Sequence, residues 1–152
     1  MNPCKCGYYG DKTQPERCHC SAASVDAYCN KISGPLLDRI DLYINLSRLS
    51  IAELQSLPQG ETSDTVAERV KSAQHKQLAR QGKLNAKLSS VEMEKYCVID
   101  IETQQLLRQA EQQFNLSARA YTKVLKLART IADLQNKRDM EKVDVMEALN
   151  FR

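Results

Sequence analysis

The feature that most constrains the fold is segment 118–135, ARAYTKVLKLARTIADLQ, whose apolar residues recur at helical spacing. At about 100° per residue they fill one broad face, which is typical of a helix packed against a core. That face comprises Ala120, Tyr121, Val124, Leu125, Leu127, Ala128, Ile131 and Leu134. Ser117 precedes the segment, and its hydroxyl can accept a hydrogen bond from a backbone amide of the first turn. We therefore predict a long amphipathic helix that begins after Ser117.

Shorter helical patterns surround this segment from residue 62 to the C-terminus. A first helix, with Val66, Val70, Ala73 and Leu78 as its apolar set, is expected to end near Gly82. A second starts at Ser89 or Ser90, a third runs from Asp100 to Asn115, and a last one begins near Asp144. The caps of the first helix are Thr62 or Ser63. Residues 62–152 are thus predicted to form a bundle of four or five helices.

Residues 1–61 have a different character. Residues 1–31 contain a cysteine cluster with interspersed glycines and are expected to form an irregular loop. Segment 36–47, LLDRIDLYINLS, is rich in β-forming residues and predicts a turn followed by a strand. One helical turn is predicted around residues 50–56. Pro58 and Gly60 then punctuate the chain, so the domain boundary is placed between 1–61 and 62–152.

Composition favours a soluble globular protein. Of the 152 residues, 42% are hydrophobic and 27% charged. No apolar stretch approaches the roughly 18 residues that span a bilayer, and the N-terminus lacks the apolar region of a signal peptide. We therefore expect a cytoplasmic protein that makes no membrane contact. The net charge of +3 permits binding to a polyanion but does not require it.

Four of the six cysteines, Cys4, Cys6, Cys18 and Cys20, crowd into a C-x-C-x11-C-x-C pattern. In a reducing compartment this clustering favours a structural Zn²⁺ site over disulfides. Because a C-x-C pair is tighter than the usual knuckle, His19 or Cys29 is a possible substitute ligand. Free thiols and disulfides remain as alternatives. A catalytic zinc is disfavoured, since four thiolates leave no open position for water.

The predicted long helix carries basic residues opposite its apolar face. Arg119, Lys123, Lys126 and Arg129 fall within roughly 120° of one another. They form either a solvated face or a contact surface for the DNA backbone. Aromatic residues make up only 5% of the chain, which weakens a base-stacking mode of single-strand binding. No Ser-His-Asp or Cys-His arrangement suggests a nucleophilic catalyst.

Three motifs in this order, NPCKCGYYGD…CHCS, ISGPLLDRIDL and LSARAYTKVLKLARTIADL, resemble the C-terminal portion of magnesium-chelatase-like AAA+ ATPases of the YifB/ComM type. The family usually has proline where this chain has Lys5. The resemblance implies a mainly α fold, in which a helical lid follows a remnant of the α/β ATPase core and its cysteine-rich loop. It also implies ATP and Mg²⁺ as ligands, a hexameric ring of identical subunits, and an ATP-driven DNA helicase acting in DNA uptake and recombination.

The resemblance assigns roles to three residues. Arg39 matches the arginine finger that reaches a neighbouring subunit's ATP, Arg119 matches the sensor 2 arginine, and Asn2 matches the sensor 1 asparagine. The residue-level alternative for Arg39 is a local ion pair with Asp38 or Asp41. The chain contains no G-x-x-x-x-G-K-[ST] phosphate loop. We therefore expect a fragment that is inactive alone, with Asn2 near a frayed terminus.

Two other functions compete with this interpretation. A stand-alone zinc-bearing helical module that binds DNA or protein is the main alternative, and an upstream phosphate loop in the same reading frame would exclude it. Magnesium insertion into a porphyrin is disfavoured, because nothing in the sequence indicates a tetrapyrrole site.

Overall fold

A computed structural model describes residues 2–11, 14–46 and 49–152. The chain divides into two compact units, residues 1–59 and 60–152. Within the described residues both units are built from helices, so the predicted mainly α fold class is confirmed. In the same part of the chain, no helix is both long and apolar enough to cross a membrane.

In the described part of the first unit there are three short helices: α1 (Ala22–Cys29), α2 (Gly34–Leu37) and α3 (Ile51–Ser56). A 3-10 turn, Pro15–Arg17, precedes them. Ser21 caps α1 by accepting a hydrogen bond from the Ser24 amide at 3.3 Å. The first two residues of segment 36–47 are the last two of α2, and residues 40–46 belong to no helix or strand, so the predicted strand is wrong. A strand needs a partner to satisfy its backbone groups, and no described segment pairs with this one. Residue 47 lies outside the described residues.

The second unit is a bundle of five helices: α4 (Ser63–Gln81), α5 (Ser90–Tyr96), α6 (Ile101–Phe114), α7 (Ala118–Leu134) and α8 (Lys142–Leu149). Helix α7 packs against α4, α5 and α8, and α6 packs against α8. A 3-10 turn, Asn85–Lys87, also contacts α7. The buried apolar core gathers around α7 and comprises Leu88, Met93, Cys97, Leu107, Val124, Leu125, Ala128, Ile131, Val145 and Ala148. The predicted face of α7 therefore faces the core.

Most predicted helix ends are confirmed. Thr62, Ser89, Asp100 and Ser117 all cap their helices through side-chain oxygens that accept amide hydrogen bonds. Gly82 and Asn115 end α4 and α6 in the left-handed conformation. Helix α8 begins two residues earlier than expected, because Asp144 lies at its third position and accepts a hydrogen bond from the Glu141 amide at 2.8 Å.

The apolar face predicted for α4 is only partly buried. Ala73 is 4% exposed and faces the core, whereas Val66, Val70 and Leu78 are 38%, 42% and 47% exposed. The polar Gln77 is buried instead, and its side-chain oxygen accepts a hydrogen bond from the Asn85 amide at 3.0 Å. The face of α4 that packs is therefore fixed by a polar contact that helical periodicity does not reveal.

Candidate metal centre and arginine residues

Four cysteine side chains from the N-terminal loop converge on one point. The sulfurs of Cys4, Cys6, Cys18 and Cys20 all lie within 4.8 Å of one another. The distance is 3.2 Å from Cys4 to Cys6, 3.7 Å from Cys6 to Cys18, 3.6 Å from Cys20 to Cys6 and 4.0 Å from Cys4 to Cys18. A tetrahedral metal with Zn–S bonds of about 2.3 Å places its sulfurs about 3.8 Å apart. The arrangement could hold a metal ion of this type.

Two tight turns bring the thiols together. After Cys4, the Gly7 amide donates to the Cys4 carbonyl at 3.1 Å, and Gly7 adopts φ +80°, which favours glycine. The second pair follows the 3-10 turn, where the Cys18 amide donates to the Pro15 carbonyl at 3.3 Å. The side chain of Asn2 lies against the first turn, since a Cβ at Gly7 would be 3.6 Å from its Nδ2 atom. The predicted sensor residue thus borders the thiol cluster.

The local environment favours a thiolate at Cys4. Burial raises the pKa of this thiol, but hydrogen bonds from its neighbours outweigh burial and lower the pKa to about 6. The donors are the Cys6 thiol and the backbone amides of Tyr9, Gly7 and Tyr8. A thiolate is the form of cysteine that ligates metals, so Cys4 is ready to bind near neutral pH.

The second pair has the opposite tendency. The Cys20 amide lowers the pKa of Cys18, but burial and the neighbouring sulfurs of Cys6 and Cys4 raise it to about 11. The Cys6 amide lowers the pKa of Cys20, whereas the Cys6 thiol, burial and Cys4 raise it. The net effect is a raised pKa for Cys20. Four sulfurs this close cannot all be charged without a cation. Metal binding would therefore release protons from the cluster.

The possible substitute ligands do not join the cluster. Cys29, at the end of α1, is exposed and its thiol donates to the Pro3 carbonyl at 3.6 Å. His19 is also exposed and lies outside the group of ligand atoms found among the described residues. Arg17, a cation within the same loop, stacks on the Tyr8 ring at 4.9 Å.

Arg39 lies on a turn directly after α2. Its amide donates to the Leu36 carbonyl at 3.0 Å, and its side chain is exposed. The Tyr43 hydroxyl secures the same turn by donating to the Leu37 carbonyl at 2.5 Å. None of the ion pairs found among the described residues includes Arg39. The guanidinium is thus exposed to solvent on a short turn that the Tyr43 hydrogen bond stabilises.

Arg119 is the second residue of α7 and is exposed in its first turn. The unpaired amides and the dipole of a helix N-terminus favour anions at this end. Arg119 belongs to the second unit, whereas Asn2, Arg39 and the thiols belong to the first. Lys123 and Lys126 are half-buried farther along α7, and the Lys126 ammonium donates to the Ala86 carbonyl at 3.1 Å.

The expectation that Arg129 lies on a solvated or DNA-binding face is wrong. Its side chain is 3% exposed and donates to Asp133 at 2.8 Å. It also donates to the carbonyls of Arg138 and Lys137, at 3.1 and 3.2 Å. Helical spacing grouped Arg129 with Arg119, Lys123 and Lys126, but the loop after α7 covers it. It therefore cannot contact a DNA backbone in this fold.

Asp133 is the centre of a buried polar network that the sequence did not predict. Arg80 binds both of its carboxylate oxygens, at 2.6 and 3.0 Å, while Asn85 donates to one of them at 2.8 Å. Together with Arg129, these contacts join α4, the following 3-10 turn and α7. The i, i+4 spacing of Arg129 and Asp133 is the only sequence signal for this network. Arg80 and Asn85 lie about fifty residues before Asp133, so their positions in the sequence give no signal of this contact.

Comparison with known proteins identifies the family. Residues 60–152 match the family profile described as magnesium chelatase, subunit ChlI C-terminal, and residues 1–54 match magnesium chelatase, subunit ChlI. Competence protein ComM of Haemophilus influenzae is 38% identical, over 100% of this chain and 29% of its own length. YifB of Salmonella typhimurium is 37% identical, also over 100% and 29%.

An uncharacterized protein of Mycobacterium bovis is 32% identical, over 99% of this chain and 30% of its own length. The chain thus spans less than a third of the length of these relatives. One family profile covers more than half of the chain and a second covers most of the remainder. On these matches, the chain belongs to the magnesium chelatase ChlI family.

Proposed function

We propose that this chain is the C-terminal part of an ATP-driven AAA+ ATPase that assembles as a hexameric ring in the cytoplasm and acts on DNA. The match to competence protein ComM along the entire chain carries this proposal. In that assignment the second unit is the helical lid, and the first supplies residues that complete an ATP site. ATP and Mg²⁺ would be bound with residues from the rest of the full-length protein.

The exposed turn after α2 supports the role of Arg39 as an arginine finger. A guanidinium is planar and permanently charged, and it can bind two phosphate oxygens at once. Because none of the described ion pairs occupies Arg39, the side chain is available to a neighbouring subunit. Such a group stabilises charge that develops during phosphoryl transfer and accelerates the step by about 10³–10⁵.

Arg119 and Asn2 have the chemistry for the other two roles. Arg119 sits at the N-terminus of α7, where both the side chain and the backbone amides favour an anion. In the lid it would bind the γ-phosphate of its own subunit. Asn2 carries an amide that can orient the attacking water through a hydrogen bond. The half-buried Lys123 and Lys126 are the remaining candidates for phosphate contacts with DNA.

ATP turnover by the full-length protein tests the proposal. Arg39→Ala should leave ATP binding nearly unchanged and lower kcat by about 10²-fold or more, because a finger acts on the transition state. Arg39→Lys should remain defective, since an ammonium cannot make the two-pronged contact. Arg69→Ala is the matched control, because Arg69 is another exposed arginine but pairs with Glu61 at 2.8 Å. Its turnover should stay near that of the unaltered protein.

Two outcomes would contradict the proposal. Wild-type turnover in an assembled Arg39→Ala ring would show that Arg39 is not a finger. No ATP hydrolysis or DNA unwinding by the full-length protein would favour the alternative, a zinc-bearing module that binds DNA or protein without an ATPase activity.

A further inference from the structure

The first unit has almost no hydrophobic core. Among its described residues only Cys4, at 0%, and Val25, at 5%, are buried side chains. A unit of about sixty residues is already near the limit at which apolar burial alone stabilises a fold. Small domains with this deficit are commonly held by a structural metal or by disulfides. The fold of this unit therefore needs a source of stability other than apolar packing.

Disulfides do not supply that stability. All six cysteines are free thiols, and the cluster's four sulfur–sulfur distances given above, 3.2 to 4.0 Å, exceed a disulfide bond of about 2.05 Å. The four sulfurs instead surround a common centre rather than forming two pairs. Cys4, which is 0% exposed and the most buried of the unit's described residues, belongs to this group. Both its burial and the geometry indicate a shared ligand.

We propose that Cys4, Cys6, Cys18 and Cys20 bind one structural Zn²⁺ ion, which serves as the core of the first unit. Four sulfur ligands in tetrahedral reach suit zinc or iron, and a set of four cysteines is typical of structural zinc sites. The site is closed, because four protein ligands satisfy the ion. Its function is to hold the chain, not to activate water.

The ion would connect the N-terminal end of α1 to the N-terminal turn, and a hydrogen bond from Cys29 connects the other end. Cys20 directly precedes Ser21, the N-cap of α1. At the other end, the Cys29 thiol contacts the Pro3 carbonyl next to Cys4. Zinc bound by Cys4 and Cys20 thus fixes the helix against residues 2–7. Asn2, whose side chain lies against Gly7, is positioned by the same cross-link. This last step, a positioning role for zinc toward the sensor asparagine, rests on the proposed function.

Metal content of the 152-residue chain tests the site without reference to ATP. Protein purified without a chelator should contain about one Zn²⁺ per chain. Cys4→Ser and Cys18→Ser should each lose most of it, whereas Cys29→Ser, the matched control from the same unit, should retain it. Replacement by Co²⁺ should give the visible bands of a tetrahedral cobalt thiolate in the unaltered chain and in Cys29→Ser only.

The metal content of the variants can be interpreted because the second unit should fold without the metal site. Its helices pack around α7 without residues of the thiol cluster, so far-ultraviolet circular dichroism should show that most helix survives in Cys4→Ser. Less than about 0.2 Zn²⁺ per chain, with all thiols titrating freely, would overturn the proposal. Iron as the bound metal, or disulfides among the four cysteines by mass spectrometry, would overturn it equally.

The positioning step has a separate readout. In the full-length protein, Cys18→Ser should lower kcat while leaving ATP binding intact, and should speed hydrogen exchange in residues 2–11. If zinc binds but Cys18→Ser hydrolyses ATP at the normal rate, the metal is structural and does not position Asn2. If zinc binds and the full-length protein hydrolyses no ATP, the metal site stands and the proposed function fails.

Discussion

Asp133 is the residue on which the helical unit most depends for its polar interior. Its carboxylate is 1% exposed and receives hydrogen bonds from Arg80, Arg129 and Asn85. A buried ion pair adds little net stability over an apolar pair of the same shape, but removing one partner leaves uncompensated charge. Loss of any one charged partner of this network should therefore destabilise the second unit.

We therefore predict that Asp133→Asn strongly destabilises the second unit. Arg129 is 3% exposed and would lose its counter-charge, while Arg80 is 24% exposed and can recruit water. The loss in free energy of unfolding should be near the lower end of about 3–5 kcal/mol. Urea unfolding followed by circular dichroism measures it. Glu61→Gln, which breaks the exposed pair with Arg69, should have little effect.

The same variant should alter the pH dependence of stability. Burial raises the pKa of Asp133, but the donors Arg80, Asn85 and Arg129 hold it below its ordinary value of 3.8. Its contribution is therefore present above about pH 4 and is lost as the pH falls further. Asp133→Asn should flatten the stability profile below about pH 4, without abolishing its pH dependence, because Glu92 also has a lowered pKa, of about 2. An unchanged profile would contradict this assignment.

Residue roles could be predicted where the sequence pattern is local. The four cysteines meet because two short turns suffice to bring C-x-C pairs together. Arg129 was assigned wrongly, because helical spacing alone cannot show that the carbonyls of Lys137 and Arg138, in the loop after α7, accept hydrogen bonds from its side chain. Its burial depends on contacts between elements, which are not encoded in the periodicity of one helix.

At the scale of elements, helix ends follow from short-range chemistry. Thr62, Ser89, Asp100 and Ser117 cap their helices because the hydroxyl or carboxylate and its amide partner are only three residues apart. The strand expected in residues 36–47 failed for the opposite reason. Its alternating apolar residues fit a strand, but extended backbone becomes a sheet only with a partner.

The end of α4 permits a prediction at this scale. Gly82 has φ +71°, a left-handed conformation that costs a side-chain-bearing residue roughly 1–2 kcal/mol. No heavy atom lies within 4 Å of a Cβ at this position, so the cost of Gly82→Ala is conformational rather than steric. We expect the unfolding free energy to fall by about 1 kcal/mol, measured by urea denaturation.

Gly60→Ala is the matched control for this effect. Gly60 also has open space around a Cβ, but its φ is not in the left-handed region. The substitution should be neutral or slightly stabilising, because alanine restricts the unfolded chain. Equal losses for the two variants would show that the φ of Gly82 is not the cause.

At the scale of the whole molecule, the residues proposed to act on ATP are divided between the two units. Asn2 and Arg39 belong to the first, and Arg119 to the second. The chain spans less than a third of its relatives, and on the proposed function the phosphate-binding loop lies elsewhere in the full-length protein. On the proposed function, Arg39 completes the site of one subunit while Arg119 completes that of another.

This division predicts that two inactive variants rescue each other. Arg39→Ala subunits retain an intact phosphate loop, and subunits without the loop lysine retain Arg39. In a ring, each interface joins the site of one subunit to the finger of the next. Random equal mixing should therefore make about a quarter of the interfaces competent, if neighbours assemble independently. ATP turnover of the mixture, against each variant alone, measures the rescue.

The control is a mixture of Arg39→Ala with Arg39→Lys, in which no subunit offers an intact finger and no rescue is expected. Mixed assembly must be verified by affinity capture of one tagged variant with the other. If mixed rings form and turnover stays at the level of the separate variants, Arg39 acts within its own subunit. The turn after α2 would then place Arg39 in the ATP site of its own subunit rather than in the site of a neighbour.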